Sequence, residues 1–459
     1  MNVYDSGQIR SRLAPLGYTI TEDPAQADLI ILNTCSIREK AEQKAFSFLG
    51  RLAPLKRHKP GLIIAIGGCV AQQEGERILG RMPFIDLVFG TQAIARLPRL
   101  IARIQRTRCR LVDVHMTDAI ASDDFVPGHC PPSEVSAFVT IMRGCDNYCT
   151  YCVVPYVRGR ETSRPLPDIV QEVRHLVGRG VLEVTLLGQN VNSYGLKEGL
   201  GTFAELLHQV NSIDGLERIR FTTSHPKDLS LDLMQAFGRL EKLCRHIHLP
   251  VQSGSNAVLK RMNRRYTREQ YLDKVERLRA SCPDIAITSD IIVGFPGETE
   301  SDFEATLDLI QTVGFDGLFA FAYSDRPNAP AVRFDGKVTE TIKKHRLNRV
   351  LELQAAATLN KHQSLVGTVQ RVLVDGPGKS QASRAEVPAE ALQWSGRTTA
   401  NCIVHFDSGE EMNSERQRLT GRMMDIMIEK ALPHCLWGRI AQTPAAIRVC
   451  EKGDHGYAA

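Results

Sequence analysis

The sequence predicts an α/β chain in three parts: a doubly wound parallel sheet, a partial (β/α)6 barrel and a small β-barrel. Three observations predict it. Apolar runs of strand length alternate with helical patterns through most of the 459 residues, which is the mark of βαβ units. Six of those runs follow one another between residues 135 and 363. Beyond residue 364 the helical period gives way to short alternating strands. Roughly three domains are expected of such a length at ~150 residues each. The boundaries are read as 1–110, a connector at 111–134, 135–363, 364–440 and a tail at 441–459.

In the first part, Asp28-Leu-Ile-Ile-Leu-Asn and Gly61-Leu-Ile-Ile-Ala-Ile-Gly read as fully buried parallel strands. Glu39 to Leu55 between them has helical periodicity. Each strand is followed at once by a cysteine, Cys35 and Cys69. Ligands of open parallel sheets gather beyond the carboxyl ends of strands, so two thiols at neighbouring ends could share one metal site. Two buried structural thiols are the plainer alternative. The connector carries the breakers Asp123-Asp124, Pro127-Gly128 and Pro131-Pro132.

The six barrel strands are expected at Ala137–Met142, Leu182–Leu187, Arg218–Thr223, His246–Val251, Ile285–Val293 and Gly317–Ala322. Chemistry in such barrels collects at the carboxyl ends of the strands. There, after the first strand, stands Arg143-Gly-Cys-Asp-Asn-Tyr-Cys-Thr-Tyr-Cys, with Cys145, Cys149 and Cys152 in C-x3-C-x2-C spacing. A closed zinc site wants four protein ligands. A [4Fe–4S] cluster takes one ligand per iron, so three cysteines leave one iron open to a small molecule. Spacing alone also admits a zinc knuckle that borrows Cys130 or His129. In the third part, Gly367–Val374 alternates, Gly376-Pro-Gly breaks it, and Asn401–Phe406 and Arg422–Ile428 resume strands. A five-stranded barrel of the oligonucleotide-binding sort is the economical reading.

Composition narrows the class. A hydrophobic fraction of 43% and a charged fraction of 24% are ordinary for a globular protein. No apolar run approaches the ~20 residues of a membrane span, and the first residues lack the pattern of a secretory leader. Twelve cysteines are then not expected to form a disulfide framework; in a reducing cytoplasm they are free to bind metal. Net charge is +5, unevenly spread, with twelve Lys/Arg against three Asp/Glu between Arg51 and Arg110. A second basic run is Lys260-Arg-Met-Asn-Arg-Arg with Arg268, Lys274, Arg277 and Arg279. Such patches suit a polyanion such as RNA, or are solvated helix faces.

Longer motifs carry a resemblance. Asn33-Thr-Cys-Ser-Ile-Arg-Glu, Gly67-Gly-Cys-Val-Ala-Gln, the three-cysteine loop and Arg158-Gly-Arg-Glu-Thr-Ser-Arg-Pro come in order. Leu187-Gly-Gln-Asn-Val-Asn-Ser-Tyr-Gly, His248-Leu-Pro-Val-Gln-Ser-Gly-Ser and Asp290-Ile-Ile-Val-Gly-Phe-Pro-Gly-Glu follow. Together they resemble the methylthiotransferase family of radical S-adenosylmethionine (SAM) enzymes across nearly the whole chain. Gln189-Asn-Val-Asn-Ser-Tyr and Leu392-Gln-Trp-Ser-Gly-Arg-Thr are similar to the branch acting on isopentenylated adenosine in tRNA, at position 37 beside the anticodon. Sister branches act on threonylcarbamoyladenosine in tRNA or on an aspartate of a ribosomal protein. A zinc-stabilised RNA-binding protein without catalysis is the alternative of another class.

The resemblance implies a radical SAM core, a C-terminal TRAM domain that helps hold tRNA, SAM, and two [4Fe–4S] clusters. Cys145, Cys149 and Cys152 would hold the SAM-binding cluster, with Tyr151 against the adenine of SAM. Carbon 2 of adenine bears an unactivated hydrogen, so a radical cofactor carries the difficulty and the protein supplies position and shielding. Cys35 and Cys69 would belong to the second, sulfur-carrying cluster. The family's third ligand to it lies in a Gly-Cys-Gln stretch just before Met-Asn-x-Tyr-Asp-Ser, where this sequence starts. That ligand is thus absent from this chain, Cys130 or Cys109 being the only substitutes in view, and a start placed too late is the expectation. By their place after successive strands, Gln189, Asn190, Ser224, His225, His248, Gln252 and Ser253 would line the SAM and adenosine pocket, or else cap loops. Gly294-Phe-Pro-Gly is a backbone-approach loop or a turn, and Arg158 and Arg160 would meet a carboxylate or a phosphate. No side chain is singled out as a catalytic acid or base. A flavodoxin- or ferredoxin-type electron donor, tRNA as the partner, and a monomeric state complete the expectation.

Overall fold

The structure, a computed structural model, describes residues 1–35, 39–117, 135–378, 393–407 and 419–441. Most of the expected connector and tail, with Cys130, His129 and Leu392, lies outside the described residues. The chain divides into two compact units, one of residues 1–361 with 399–401 and the other of the remaining C-terminal residues. Among the described residues no helix is long and apolar enough to cross a membrane.

The first unit opens with a parallel sheet of β1 (Leu29–Thr34), β2 (Ile63–Gly68), β3 (Leu87–Phe89) and β4 (Leu111–Asp113), in that order. Ile63, Ala65, Leu87 and Phe89 pack beneath the helices Asn2–Leu13 and Leu97–Thr107. Ile64, Ile66 and Val88 point the other way, against Leu49, Leu52 and Ile78. Helices therefore cover both faces, while the four strands run in sequence order with no switch point among them. β2 is buried throughout, as its unbroken apolar run requires. β1 is not: five of its six residues are half-buried. Among the described residues it pairs on one side only, and an edge strand shares less of each helical cover.

The barrel strands follow as β5 (Ser136–Thr140), β8 (Glu183–Leu187) and β9 (Arg218–Phe221), then β10 (His246–His248), β11 (Ala286–Val293) and β12 (Gly317–Ala322). Between β5 and β8 lies a short antiparallel pair, β6 (Met142–Arg143) and β7 (Thr162–Ser163). A parallel bridge from Ile219 to Leu243 joins the two three-stranded sheets into one curved row of six. All six expected strands are present, each within a few residues of its predicted ends. Capping boxes at Thr202, Thr267 and Thr299 start three of the intervening helices, each oxygen satisfying an otherwise orphaned N–H. One continuous core, from Val139 to Val350, fills the space between strands and helices. The other face is polar: Glu183 pairs with Arg220 at 2.9 Å, and His248, Thr288 and Asp290 are only half-buried.

The second unit is a closed barrel of β13 (Val369–Pro377), β14 (Gln393–Arg397), β15 (Ile403–Asp407), β16 (Met423–Ala431) and β17 (Leu436–Ile440). Val372, Val374, Trp394, Val404, Phe406, Ile426 and Leu436 fill it. Gly376-Pro-Gly, expected to break the first strand, is absorbed by a bulge between Val374 and Gly376, as an extra residue in a ladder allows. β14 and β17 were not foreseen as strands. Their interior residues are Trp394 and Gly396 in one and Leu436 and Gly438 in the other, too few apolar positions for an alternating pattern.

Candidate functional site

The cysteine loop leaves β6 at the carboxyl end of β5, where the barrel rule expects it. Gly144 has φ +73°, and a Cβ there would sit 1.9 Å from the Arg160 carbonyl oxygen. Only glycine lets the returning strand pass so close. The loop is then strapped from several sides. Cys145 N–H donates to Gly159 O at 3.3 Å and Cys152 N–H to Cys149 O at 2.9 Å. Thr150 N–H reaches Met262 O at 3.1 Å, and Asn263 donates to the carbonyls of Asn147 and Tyr148. Val154 N–H points at Cys152 Sγ, 3.4 Å away, and Arg264 Nη1 at Cys149 Sγ, also 3.4 Å.

Burial pushes the Cys145 thiol up to about 11 and the Cys152 thiol up to about 12, with the neighbouring Cys149 adding to both. Thiols held this way stay protonated alone and lose the proton to a metal. Among the described residues no three His, Cys, Asp or Glu side chains gather as the ligands of one metal ion would, these three included. A cubane asks for less convergence, since each thiolate binds its own iron. The triad, all free thiols, fits such a cluster.

Asp146 clamps the loop. Its carboxylate accepts from Arg160 at 2.7 and 3.1 Å, from Lys197 at 3.0 Å and from the Glu161 N–H at 3.2 Å. Burial alone would raise this acid, but the Arg160 and Lys197 bonds overcome it and hold it at about 2. A depressed acid contributes stability that is complete above its unfolded value of roughly 3.9 and lost as pH falls through about 2. Asp146→Asn imitates the protonated acid at neutral pH. Iodoacetamide should then trap Cys145 of the metal-free protein several-fold faster; an unchanged rate would show that the clamp does not hold the loop.

The next strand ends supply polar groups. Gln189 does not face a pocket with its oxygen: Oε1 accepts from Gly144 N–H at 2.6 Å, tying the end of β8 to the cysteine loop. Asn190 donates to Ser193 Oγ and Asp228, leaving Oδ1 buried with no partner. Ser224 Oγ, His225 Nε2 and Gln252 Oε1 are likewise buried and unpartnered. Thr223 and Gln252 sit at φ +70° and +77°, uncommon for residues with a Cβ. His225 Nδ1 accepts from Lys227 N–H; burial and then Arg264 push its imidazolium far down, so the neutral ring carries its proton on Nε2. Four unpartnered polar atoms after β8, β9 and β10 are costly unless a ligand meets them, and they suit a polar molecule beside the cysteine loop.

Two expected pocket residues have partners within the chain. Ser253 Oγ lies 3.3 Å from Thr306 Oγ1 and accepts from Ser255 N–H, which is loop capping. His248 meets Thr288 Oγ1 at 3.1 Å and Asp290 at 3.5 Å, with Phe319 at its edge. Tyr151 packs against the Phe295–Tyr323 cluster, its hydroxyl 3.3 Å from Arg264. Gly294 N–H is held by Glu298 at 2.5 Å. Arg158 is buried on Asp5 at 2.7 Å, and Arg160 is bidentate on Asp146 with about half of its side chain exposed.

The register Asn33↔Gly67 and Thr34↔Gly68 puts Cys35 and Cys69 at adjacent strand ends. Cys69 packs with Val153 and Val157, directly after the cysteine loop, and Thr91 Oγ1 donates to Val157 O at 2.8 Å. Cys69 thus lies against the segment that follows the cysteine loop. Cys109 precedes β4 and belongs to the opposite edge of its sheet, bonded to Thr107. Part of the basic charge is paired within the chain. Lys56 pairs with Asp86, Lys59 with Asp28, Arg96 with Asp113, Arg268 with Asp308 and Arg277 with Asp273. Arg264, read as part of a basic face, is buried beside Cys149; no periodicity could have shown that.

Comparison with known proteins gives the same outline. A family model described as the Radical SAM superfamily matches residues 139–310, and one described as Uncharacterized protein family UPF0004 matches residues 1–90. A Desulfosudis oleivorans protein named tRNA-2-methylthio-N(6)-dimethylallyladenosine synthase is 55% identical over 438 residues, covering 95% of this chain and 94% of that one. Proteins of the same name are 50% identical in Syntrophus aciditrophicus, covering 96% and 92%, and 49% in Geotalea uraniireducens, covering 96% and 97%. Among solved structures, the radical S-adenosylmethionine methyltransferase TsrM from Kitasatospora setae superposes with a TM-score of 0.52 at 14% identity. That match covers 81% of this chain and 74% of TsrM, and it shows the fold alone.

Proposed function

We infer the activity from one premise: the chain belongs to the family of radical SAM enzymes named tRNA-2-methylthio-N(6)-dimethylallyladenosine synthases. It is a methylthiotransferase that installs a 2-methylthio group on N6-isopentenyladenosine at position 37 of tRNA, with SAM and [4Fe–4S] as its cofactors. The observation that carries this reading is three free thiols on one strapped loop, flanked by four unpartnered polar atoms at the neighbouring strand ends.

When bound, cluster and SAM supply the radical chemistry that an unactivated C–H bond requires. Cys145, Cys149 and Cys152 would hold that cluster, which would supply the binding place for SAM. Gln189 and Asp146 keep their loop in place. Asn190, Ser224, His225 and Gln252 meet SAM and the target adenosine with the atoms left unpartnered, and Tyr151 lies against the adenine of SAM. His248 belongs to a polar group with Asp290 on the half-buried barrel face, where it orients a base without touching the cluster. Cys35 and Cys69 would be two of the ligands of the second cluster, which would supply the sulfur.

The domains are drawn at 1–110, 135–363 and 364–440, the last a TRAM-like barrel that grips tRNA. A flavodoxin- or ferredoxin-type donor and a monomeric enzyme belong to the same reading. So does a cytoplasmic location, for which all ten described cysteines being free thiols is the support.

Nucleosides from total tRNA of a strain lacking the gene test the function. Mass spectrometry should find the methylthio form lost and isopentenyladenosine accumulated in its place. An unchanged methylthio fraction overturns the reading, and loss confined to threonylcarbamoyladenosine or to a ribosomal aspartate moves it to a sister branch.

A further inference from the structure

Arg264 is 3% exposed. Its guanidinium donates from Nε to Tyr266 Oη at 2.9 Å and from Nη2 to Pro250 O at 2.5 Å. The remaining nitrogen, Nη1, faces Tyr151 Oη at 3.3 Å and Cys149 Sγ at 3.4 Å. Among the described residues none of these partners is a carboxylate. The contrast within the same unit is sharp: buried Arg158, Arg164, Arg220 and Arg346 each meet a buried acid.

A guanidinium cannot shed its proton, and a buried charge without a counterion is strongly destabilising. Phenols are neutral at working pH, so the tyrosines supply hydrogen bonds and no compensating charge. The one group in contact that becomes anionic on binding metal is Cys149. A cubane core with three thiolates carries net negative charge, and one-electron reduction adds another. Hydrogen bonds to ligand sulfur and nearby cations raise the reduction potential of such clusters.

We propose that Arg264 is the fixed countercharge of the SAM-binding cluster, gripping the Cys149 sulfur through a charge-assisted N–H···S bond and favouring the reduced state. It is a positioning residue, acting through Cys149, and the proposal rests on the reading that Cys149 is a cluster ligand. Asn263 and Arg265 on either side have φ of +59° and +58°. Asn263 bonds the loop carbonyls of Asn147 and Tyr148, so the segment that carries the cation also fixes the loop that carries the thiol.

The test is an anaerobic redox titration of the full chain, reconstituted with iron and sulfide and followed by the paramagnetic signal that changes on adding SAM. Arg264→Met should lower the reduced fraction at a fixed poise about tenfold, a shift of about 59 mV to more negative potential for a one-electron couple. Arg264→Lys, which keeps the charge, should recover most of it. An Arg264→Met protein with the parent's iron content that titrates at the parent's potential overturns the proposal. If Arg264→Met does not fold, Arg264→Lys and Arg264→Gln carry the comparison, and equal titration of those two overturns it. A parent protein without a SAM-responsive iron signal would instead remove the underlying cluster assignment.

Discussion

Replacing Cys145, Cys149 and Cys152 together by alanine abolishes methylthiolation while leaving the fold intact. The two effects separate because the loop does not depend on its thiols. Asp146, Gln189, Asn263 and the Thr150–Met262 contact hold its backbone, and an Sγ-to-hydrogen change in three residues removes little apolar surface. Without ligands there is no cluster, and no side chain nearby can substitute for radical chemistry. The activity should therefore fall at least ~10⁶-fold, the low end of enzymatic accelerations, with circular dichroism and melting temperature near those of the metal-free parent. SAM cleavage to 5′-deoxyadenosine should vanish with it. Cys69→Ala is the contrasting variant: it should lose methylthiolated product yet keep SAM cleavage. Residual product in the triple variant would exclude the triad as the radical-generating site.

The largest loss of stability is expected of Arg346→Leu. Arg346 Nη1 lies 2.7 Å from Glu298, and the two side chains are 5% and 1% exposed. Glu298 also accepts from Gly294 N–H, so it fixes the Gly294-Phe-Pro-Gly loop after β11. Removing one partner of a buried pair typically costs about 3–5 kcal/mol, a large share of the roughly 5–15 kcal/mol that holds a folded protein together. Burial already raises the Glu298 carboxyl above its usual range, against the pull of Gly294 and Arg346. Losing the guanidinium raises it further. An acid raised in the folded state is favoured by proton uptake, so its penalty grows as pH climbs past the ordinary carboxylate value and fades below it. Urea unfolding should show the Arg346→Leu deficit shrinking from pH 8 to pH 5, and Glu298→Gln in the same chain recovering part of it. A deficit independent of pH would show that lost packing, not the stranded charge, is responsible.

The strands of the first unit were legible because parallel strands buried on both faces must be apolar without interruption. Ile63–Gly68 could hardly be anything else. Leu29–Thr34 looked the same, yet lies at an edge, because composition records what a strand can bury and not how many neighbours it has. β14 and β17 went unread since tight barrel packing uses Gly396 and Gly438, where a Cβ would fall 2.3 and 2.2 Å from neighbouring backbone oxygens.

Legibility of the site divides the same way. The cysteine spacing is a local property, set by the covalent chain, and only together with the ordered motifs did it point to cluster chemistry before any coordinate. The ordered motifs likewise pointed to the polar residues at the strand ends. Which of them remain available was not a local matter. Gln189 turned out to brace the loop, Ser253 to cap a turn, Arg158 and Arg160 to serve Asp5 and Asp146, whereas Asn190, Ser224, His225 and Gln252 kept unpartnered atoms.

The sequence by itself determined the number of barrel strands, the place of the thiol triad and the kind of cofactor it can hold. Tertiary structure alone decided that Cys69 lies against Val153 and Val157 and that Arg264 reaches Cys149. The physical reason is range. Spacing and periodicity act through a few bonds, while the partner of a buried charge or thiol is chosen by packing among segments a hundred residues apart.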